Sequence, residues 1–470
     1  MQLIQEIQAI AAQKEPVIQA LSQQIWQYAE LNWQEQRSCQ ATIQALEAEG
    51  FSIAPCAAGL DTAFVAHYGD KGPVIGFLGE YDALAGLSQQ AAQPTQQTVE
   101  GHAAGHGCGH NMLGAGAFGA AAILKELVAR GLVNAQVEFF GCPAEEDGAG
   151  KAHMARAGLF DHLDAAFCWH PDGTNQVIGT GTLAVMGVKY AFTGITAHAA
   201  AAPYAGRSAL DAAELMNVGC NYLREHMIPD ARLHYAYLDT GGAAPNVVPD
   251  HAAVHYYIRA PRTSQMLELF ERVNKVAQGA ALMTETQMEY TILDACSDFV
   301  PNRPLSQLLA DCLAQLGGPD FDEADRQLAA RFQQTIPPRQ RQDNLVNACL
   351  SSGLHQADYA PLVLDDHTPP YLHQPWAAEM GSTDLGDASY CAPTAQCYIA
   401  CAALGTGGHT WQMTAQANSS IGRKGTIRAA MVLALAGARA AGDPELLRQA
   451  RQAFEEDVPN GYTCPLPPRQ

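Results

Sequence analysis

Three short apolar runs limit most strongly what this chain can become. Val74–Leu78 (VIGFL), Ala135–Phe140 (AQVEFF) and Ala165–Trp169 each have the length of a strand. The first is apolar throughout, as expected of a strand covered on both faces. Helix-length segments separate them: one predicted from Asn111, a good N-cap residue, to about Arg130, and one over about Lys151–Ala157. Alternating strands and helices predict a mainly parallel sheet with helices on its faces. In such sheets ligands bind beyond the carboxyl ends of the strands. Glu80 and Asp82, Glu145 and Glu146, and His170 all fall at those ends.

The remaining segments are read around that frame. Residues 3–50 are predicted helical, because Leu3, Ile4 and Ile7, then Ile18, Leu21, Ile25 and Tyr28, recur at three- and four-residue steps. Pro16 is expected to break that pattern or start a fresh helix, and Gly50 to end it. From about Leu183 the texture changes. A strand, a helix near 208–225, two strands (RLHYAYLDT and HAAVHYYIRA), a helix near 264–279 and a strand over 287–293 resemble a ferredoxin-like α+β module. Helices near 304–316 and 326–334, a Pro/His-rich loop near 366–376, a Gly-rich segment at 405–408 and a long helix near 426–441 complete the chain. The expectation is an α/β catalytic domain over 1–181 and 300–470, interrupted by a smaller domain over 182–299.

Composition narrows the function. Of 470 residues, 48% are hydrophobic and 16% charged, enough apolar material for a large core. The formal charge is -21, with no Lys/Arg run, which argues against nucleic acid and anionic membrane surfaces as partners. An anionic substrate would therefore need a local cation to hold it. Thirteen cysteines, an odd number spread along a long chain, do not form a disulfide framework. The start of the chain carries no cationic or apolar leader pattern, and Ala429–Gly437 is too short to span a bilayer. A cytoplasmic protein is expected.

Gly105-His106-Gly107-Cys108-Gly109-His110-Asn111 is the sharpest chemical signal. Cys and His two apart in an extended loop point the same way and suit zinc- or manganese-like ions. A Gly-rich polar loop is its bland alternative. Glu145-Glu146 places two carboxylates together, which repel unless a cation or a proton intervenes. One can bind metal while its neighbour accepts a proton from water. By itself such a pair is more often solvated surface. His170 (FCWHP) and His409 (GGHTW) alone read as satisfied structural histidines. Their coincidence with Cys108, His110 and the acidic pair supplies what two adjacent ions need. Cys391, Cys397 and Cys401 lack paired knuckle spacing and read as buried and inert.

These motifs resemble the co-catalytic metallopeptidases that include aminoacylases and glutamate carboxypeptidases, and within them the amidohydrolase branch. GEYDAL, GHGCGHN, PAEE, WHP, SALDA, NVVPD, YIRAP, ALMTET, GSTDLGD and HTWQ carry the resemblance along nearly the whole chain. It implies two divalent ions, zinc or manganese, held by Cys108, His110, Glu146, His170 and His409. It makes Glu145 the general base and His198 (TAHAA) the oxyanion stabiliser, commonly offered across a dimer interface. Asn246 and Arg259 would hold the substrate's carbonyl and carboxylate. Arg259 would then be the local cation, its planar fork suiting a carboxylate. Read alone, His198 is equally a structural loop residue, Asn246 an Asx-turn and Arg259 a surface ion-pair member. The implied substrate is a small N-acyl or N-aroyl amino acid of the aminobenzoyl-glutamate kind, or else a small dipeptide. A homodimer is implied, and a related second subunit or a non-catalytic, metal-binding role within a heteromeric hydrolase stays open. DALAG and CPAEE stand where the family usually has DALPG and CPGEE. Glu80 and Asp82 receive no role.

Overall fold

The computed structural model describes residues 2–374 and 378–468. Pro375 and Trp376, in the expected Pro/His-rich loop, lie outside the described residues. The described chain divides into two compact units. The first comprises residues up to 181, 300–374 and 388–462. The second comprises 182–299, 378–387 and 463–468, so two late segments assigned from sequence to the catalytic domain cluster with the inserted one instead.

The first unit is built on a seven-stranded sheet. Its strands are β1 (Ser52–Pro55), β2 (Phe64–Tyr68), β3 (Val74–Glu80), β4 (Gln136–Cys142), β5 (Ala165–Asp172), β6 (Gln176–Val177) and β7 (Thr394–Ala400). Their spatial order is β1-β2-β4-β3-β5-β7-β6. The four central strands β4, β3, β5 and β7 run parallel, and the outer pairings are antiparallel. The fold is therefore α/β with a mixed, mostly parallel sheet. Parallel strands need crossovers, and β3 reaches β4 through a helix, α3 (His110–Ala129).

Two helices lie against this sheet, α3 and α5 (Ser420–Gly442), and α1 (Gln2–Tyr28) packs on both of them; two others are α2 (Gln36–Ala48) and α4 (Gly150–Arg156). α3 is long and apolar enough to cross a membrane by length and composition, yet it is packed inside the unit. Its glycines set the approach: a Cβ on Gly114 would stand 2.5 Å from the Glu80 carbonyl oxygen, so only glycine lets α3 lie that close to the end of β3.

Two expectations fail here. α1 continues through Pro16 without a break. Ile7, Ile10, Ile18, Leu21 and Ile25 bury one face on both sides of the proline, and that burial outweighs one missing backbone donor. Asn111 does not cap α3; Gly109, at φ +85°, does. The Asn111 amide is buried instead and donates to Ser22 Oγ at 3.0 Å and to the Ala417 carbonyl at 3.1 Å, tying α1, α3 and the segment before α5 together.

The second unit carries a four-stranded antiparallel sheet of strands Ala184–Thr193, Arg232–Asp239, His251–Ala260 and Gln287–Cys296. Helices Ala209–Leu223 and Thr263–Thr284 complete a β-α-β-β-α-β order, and the strands lie in the spatial order second, third, first, fourth. This is the ferredoxin-like arrangement.

Candidate metal centre

The carboxyl ends of β3, β4 and β5 converge, as parallel strands must. β3 brings Glu80 and, two residues on, Asp82; the turn after β4 brings Glu145 and Glu146; β5 carries His170. The loop before α3 adds Cys108, and His110 opens that helix. His409 comes from the turn before Trp411, in a left-handed conformation at φ +56°. Its N–H donates to the Gly107 carbonyl at 2.8 Å, so the cysteine loop and the late glycine loop are joined directly.

Cys108 Sγ lies 3.3 Å from His170 Nε2. His409 Nε2 lies 3.3 Å from Glu146 Oε2. His110 Nε2 faces three carboxylates, with Glu80 Oε2 at 3.2 Å, Glu145 Oε2 at 3.8 Å and Glu146 Oε1 at 3.9 Å. Three sets of donors result: Cys108, His110 and His170; Cys108, Glu146 and His409; and Glu80, His110 and Glu145. Within each set the ligand atoms lie within 4.8 Å of one another, and shared members fuse the three into one cluster.

The surrounding hydrogen bonds orient the ligands. Asp82 Oδ1 accepts from His110 Nδ1 at 2.8 Å, which turns Nε2 toward the cluster. Asp82 Oδ2 accepts the Glu146 N–H at 2.9 Å. His170 Nδ1 donates to the Pro171 carbonyl at 2.9 Å, which leaves its Nε2 for the cluster. Lys151, fully buried in α4, places Nζ 2.6 Å from Glu80 Oε1.

Electrostatics follow from burying so many acids together. Burial raises the Cys108 thiol well above its usual range, and Glu146 adds to the effect. A thiolate at this position therefore calls for a cation. Burial opposes charge on His110, but Cys108, Asp82 and Glu80 outweigh it and hold the ring's pKa high. Burial likewise opposes charge on Glu80, and Lys151 and His110 override it. His409 is held up by its hydrogen bond to Glu146.

The donor set fits a divalent cation. His110 Nε2 and Glu146 Oε1 are buried without a hydrogen-bond partner among the described residues. Such orphaned polar atoms are costly unless a cation satisfies them. Sulfur, imidazole and carboxylate together are the ligands of zinc and related ions.

Glu80, Asp82 and Lys151 are parts of this centre that the motifs left without a role. The excess of carboxylates at the strand ends was a signal for a compensating cation, but nothing local marks Lys151 as the one that is buried. The remaining cysteines include Cys391, Cys397 and Cys401, all buried thiols.

His198, Asn246 and Arg259 lie in the second unit. His198 is exposed, and its Nδ1 accepts the N–H groups of Ala200 and Ala201, both at 3.2 Å. That fixes the proton on Nε2, which becomes a donor. Asn246 is its close neighbour: the Ala199 N–H donates to the Asn246 carbonyl at 2.9 Å. Arg259, on strand His251–Ala260, donates to Ser382 Oγ at 2.7 Å and lies over the Tyr257 ring at 5.3 Å.

A mostly parallel sheet with a Cys/His/Glu cluster at its carboxyl edge and an inserted ferredoxin-like unit defines a metallohydrolase. The match is specific: residues 76–461 fit the model of peptidase family M20/M25/M40, and the chain belongs to that family, as a hydrolase of peptide-like C–N bonds. Among curated proteins, it is 41% identical over 454 residues to one of the subunits of p-aminobenzoyl-glutamate hydrolase from Escherichia coli (strain K12), covering 95% of this chain and 94% of that one. It is 29% identical over 456 residues to the Xaa-Arg dipeptidase of Mus musculus, covering 93% and 88%. Among solved structures, a dinuclear metal-binding peptidase of the M20 family from Bacillus subtilis matches with a TM-score of 0.55 and 18% identity, over 91% of this chain and 99% of that one.

Proposed function

We propose that this chain hydrolyses the amide bond of N-acyl or N-aroyl amino acids, p-aminobenzoyl-glutamate foremost, with two divalent ions, zinc or manganese. One observation carries the reading: His110 Nε2 and Glu146 Oε1, buried without a hydrogen-bond partner among the described residues, face into a sulfur–imidazole–carboxylate cluster that holds two carboxylates, Glu80 and Glu145, beyond the five proposed ligands; Lys151 pairs with Glu80, and Glu145 is the one proposed to act. The 41% identity to a component of an aminobenzoyl-glutamate hydrolase supports the substrate.

Cys108, His110, Glu146, His170 and His409 would hold the ions. When bound, the pair supplies Lewis acidity and makes water more acidic. Glu145 removes a proton from the attacking water as its oxygen adds to the amide carbon. His198 Nε2–H donates to the developing oxyanion, in the role the resemblance gives it across a dimer interface. Glu145 passes its proton to the leaving nitrogen as the C–N bond breaks, releasing the acid and the free amino acid. Arg259 grips the substrate carboxylate with a fork that matches it, and Asn246 holds the carbonyl. The carboxylate-binding cation offsets the field of a chain with net charge -21.

The relative's being one component of a heteromeric hydrolase leaves a second reading, a metal-binding chain that needs a partner for turnover, and the Xaa-Arg dipeptidase similarity favours a dipeptide as alternative substrate. A homodimer working in the cytoplasm completes the proposal. The test is a hydrolysis screen of p-aminobenzoyl-glutamate, acyl-amino acids and dipeptides by the isolated, metal-free chain after separate addition of zinc, manganese and cobalt. Turnover of p-aminobenzoyl-glutamate well above that of dipeptides supports the proposal. Bound ions without amidase activity favour the partner-dependent reading, and sedimentation as a monomer removes the homodimer.

A further inference from the structure

The turn that carries Glu145 is held on both sides by buried carboxylates. Asp82 accepts the N–H of Glu146, just after the base. Glu35, far away in sequence, accepts the N–H of Ala144, just before it, through Oε1 at 2.8 Å. Ala144 sits at φ +55°, a conformation that a residue with a Cβ adopts only when its surroundings impose it.

Glu35 is completely buried, and its second oxygen accepts the Thr62 hydroxyl at 3.2 Å. It ends a short segment, residues 29–35, that braces two site-bearing stretches. The Glu30 carbonyl accepts the Ala83 N–H at 2.8 Å, beside Asp82, and Asn32 Nδ2 donates to the Asp147 carbonyl at 2.9 Å, just beyond Glu146. Ala29 and Trp33 in that segment also have positive φ, at 42° and 62°. Burial and the nearby Asp82 charge push the Glu35 carboxyl up to about 7. A neutral side chain would cost the fold less here, so the effect of the acid has to be sought in what it holds.

We propose that Glu35 is a positioning residue: through the Ala144 amide it sets the left-handed turn that aims Glu145 and Glu146, with Asp82 as the opposing clamp. The catalytic consequence rests on the hydrolase reading; the clamp itself does not. The experiment therefore reads the clamp without turnover first. Hydrogen exchange of residues 143–148 and zinc affinity are measured on the metal-free full chain, for wild type, Glu35→Ala and Glu35→Gln. Glu35→Ala is expected to speed exchange across this turn about 10-fold or more and to weaken zinc binding roughly 10- to 100-fold, the range for residues that orient metal ligands. Its kcat is expected to fall by a similar factor with KM nearly unchanged. Glu35→Gln keeps a carbonyl oxygen for the Ala144 amide and is expected to restore all three. Wild-type exchange and zinc affinity in Glu35→Ala would overturn the proposal, as would a Glu35→Gln variant as impaired as Glu35→Ala. Should Glu35→Ala not fold, residue-resolved exchange in the wild type decides: protected Ala144 and Glu146 amides support the clamp, and exchange of either at the free-peptide rate ends it. If the clamp readouts behave as expected while the wild type cleaves no acyl-amino acid, the positioning role stands and the hydrolase reading falls.

Discussion

The candidate residues of the two units are held in opposite ways. In the first unit several groups of the cluster are fixed by another side chain: Asp82 holds His110, Lys151 holds Glu80, and Glu146 holds His409. In the second unit His198 and Asn246 are exposed, and local backbone contacts hold the His198 loop. Arg259 is tethered through one serine hydroxyl. Charges gathered in a low dielectric destabilise the fold unless most of them are paired within it, and the atoms left over, His110 Nε2 and Glu146 Oε1, are the ones a cation would satisfy. Groups that meet a substrate only in passing carry no such requirement. The contrast implies that substitutions of the holding groups in the cluster disturb metal binding and stability, whereas those in the second unit disturb substrate binding or turnover and leave stability alone.

Glu145→Gln gives the largest expected effect and tests the contrast at its exception, because Glu145 is the one cluster carboxylate proposed to act rather than to hold. Its kcat is expected to fall roughly 10²- to 10⁴-fold, the range for a general base, while zinc binding by calorimetry stays close to wild type. Wild-type turnover would remove Glu145 from the mechanism. Lys151→Met comes next. It strands Glu80 in the interior without its partner, and breaking a buried pair costs about 3–5 kcal/mol. Urea unfolding of the metal-free chain is expected to show that loss, and added zinc to recover part of it by mass action. An unchanged midpoint would mean that the cluster is not prebuilt.

How far these residues could be read in advance follows the range of the forces that place them. The strand ends were legible because a continuous apolar run and its flanking acids are local, and that pattern led to the parallel sheet and to Glu145, Glu146 and His170. Cys108 and His110 stood out because glycine surrounds them. Pro16 misled because its local cost is overridden by a face buried on both sides of it. Asn111 misled because a cap and a buried amide look alike until neighbouring helices are known. Glu35 and Lys151 were silent: their roles arise only when the starts of α2 and α4 are buried beside carboxylates far away in sequence, Asp82 for Glu35 and Glu80 for Lys151.

The second unit sharpens the contrast with smaller effects. His198→Ala is expected to lower kcat roughly 10²- to 10³-fold, as loss of one oxyanion donor does. Its thermal midpoint should barely move, since an exposed side chain away from any buried network changes stability by no more than about 0.5 kcal/mol. A large drop in midpoint would place His198 in the structural class and erase the distinction.

Arg259→Lys is the mildest change and the most discriminating. It keeps the charge but replaces a planar fork with a single point donor. If Arg259 holds a substrate carboxylate through two parallel hydrogen bonds, losing one costs about 1.4 kcal/mol, which is a tenfold rise in KM. The kcat should hold, because the contact is the same in ground and transition states. The comparison that decides is between p-aminobenzoyl-glutamate and an amide lacking the free carboxylate. The lysine variant should lose against the first and not against the second. Equal losses on both would mean that Arg259 shapes the strand through Ser382 rather than reading the substrate.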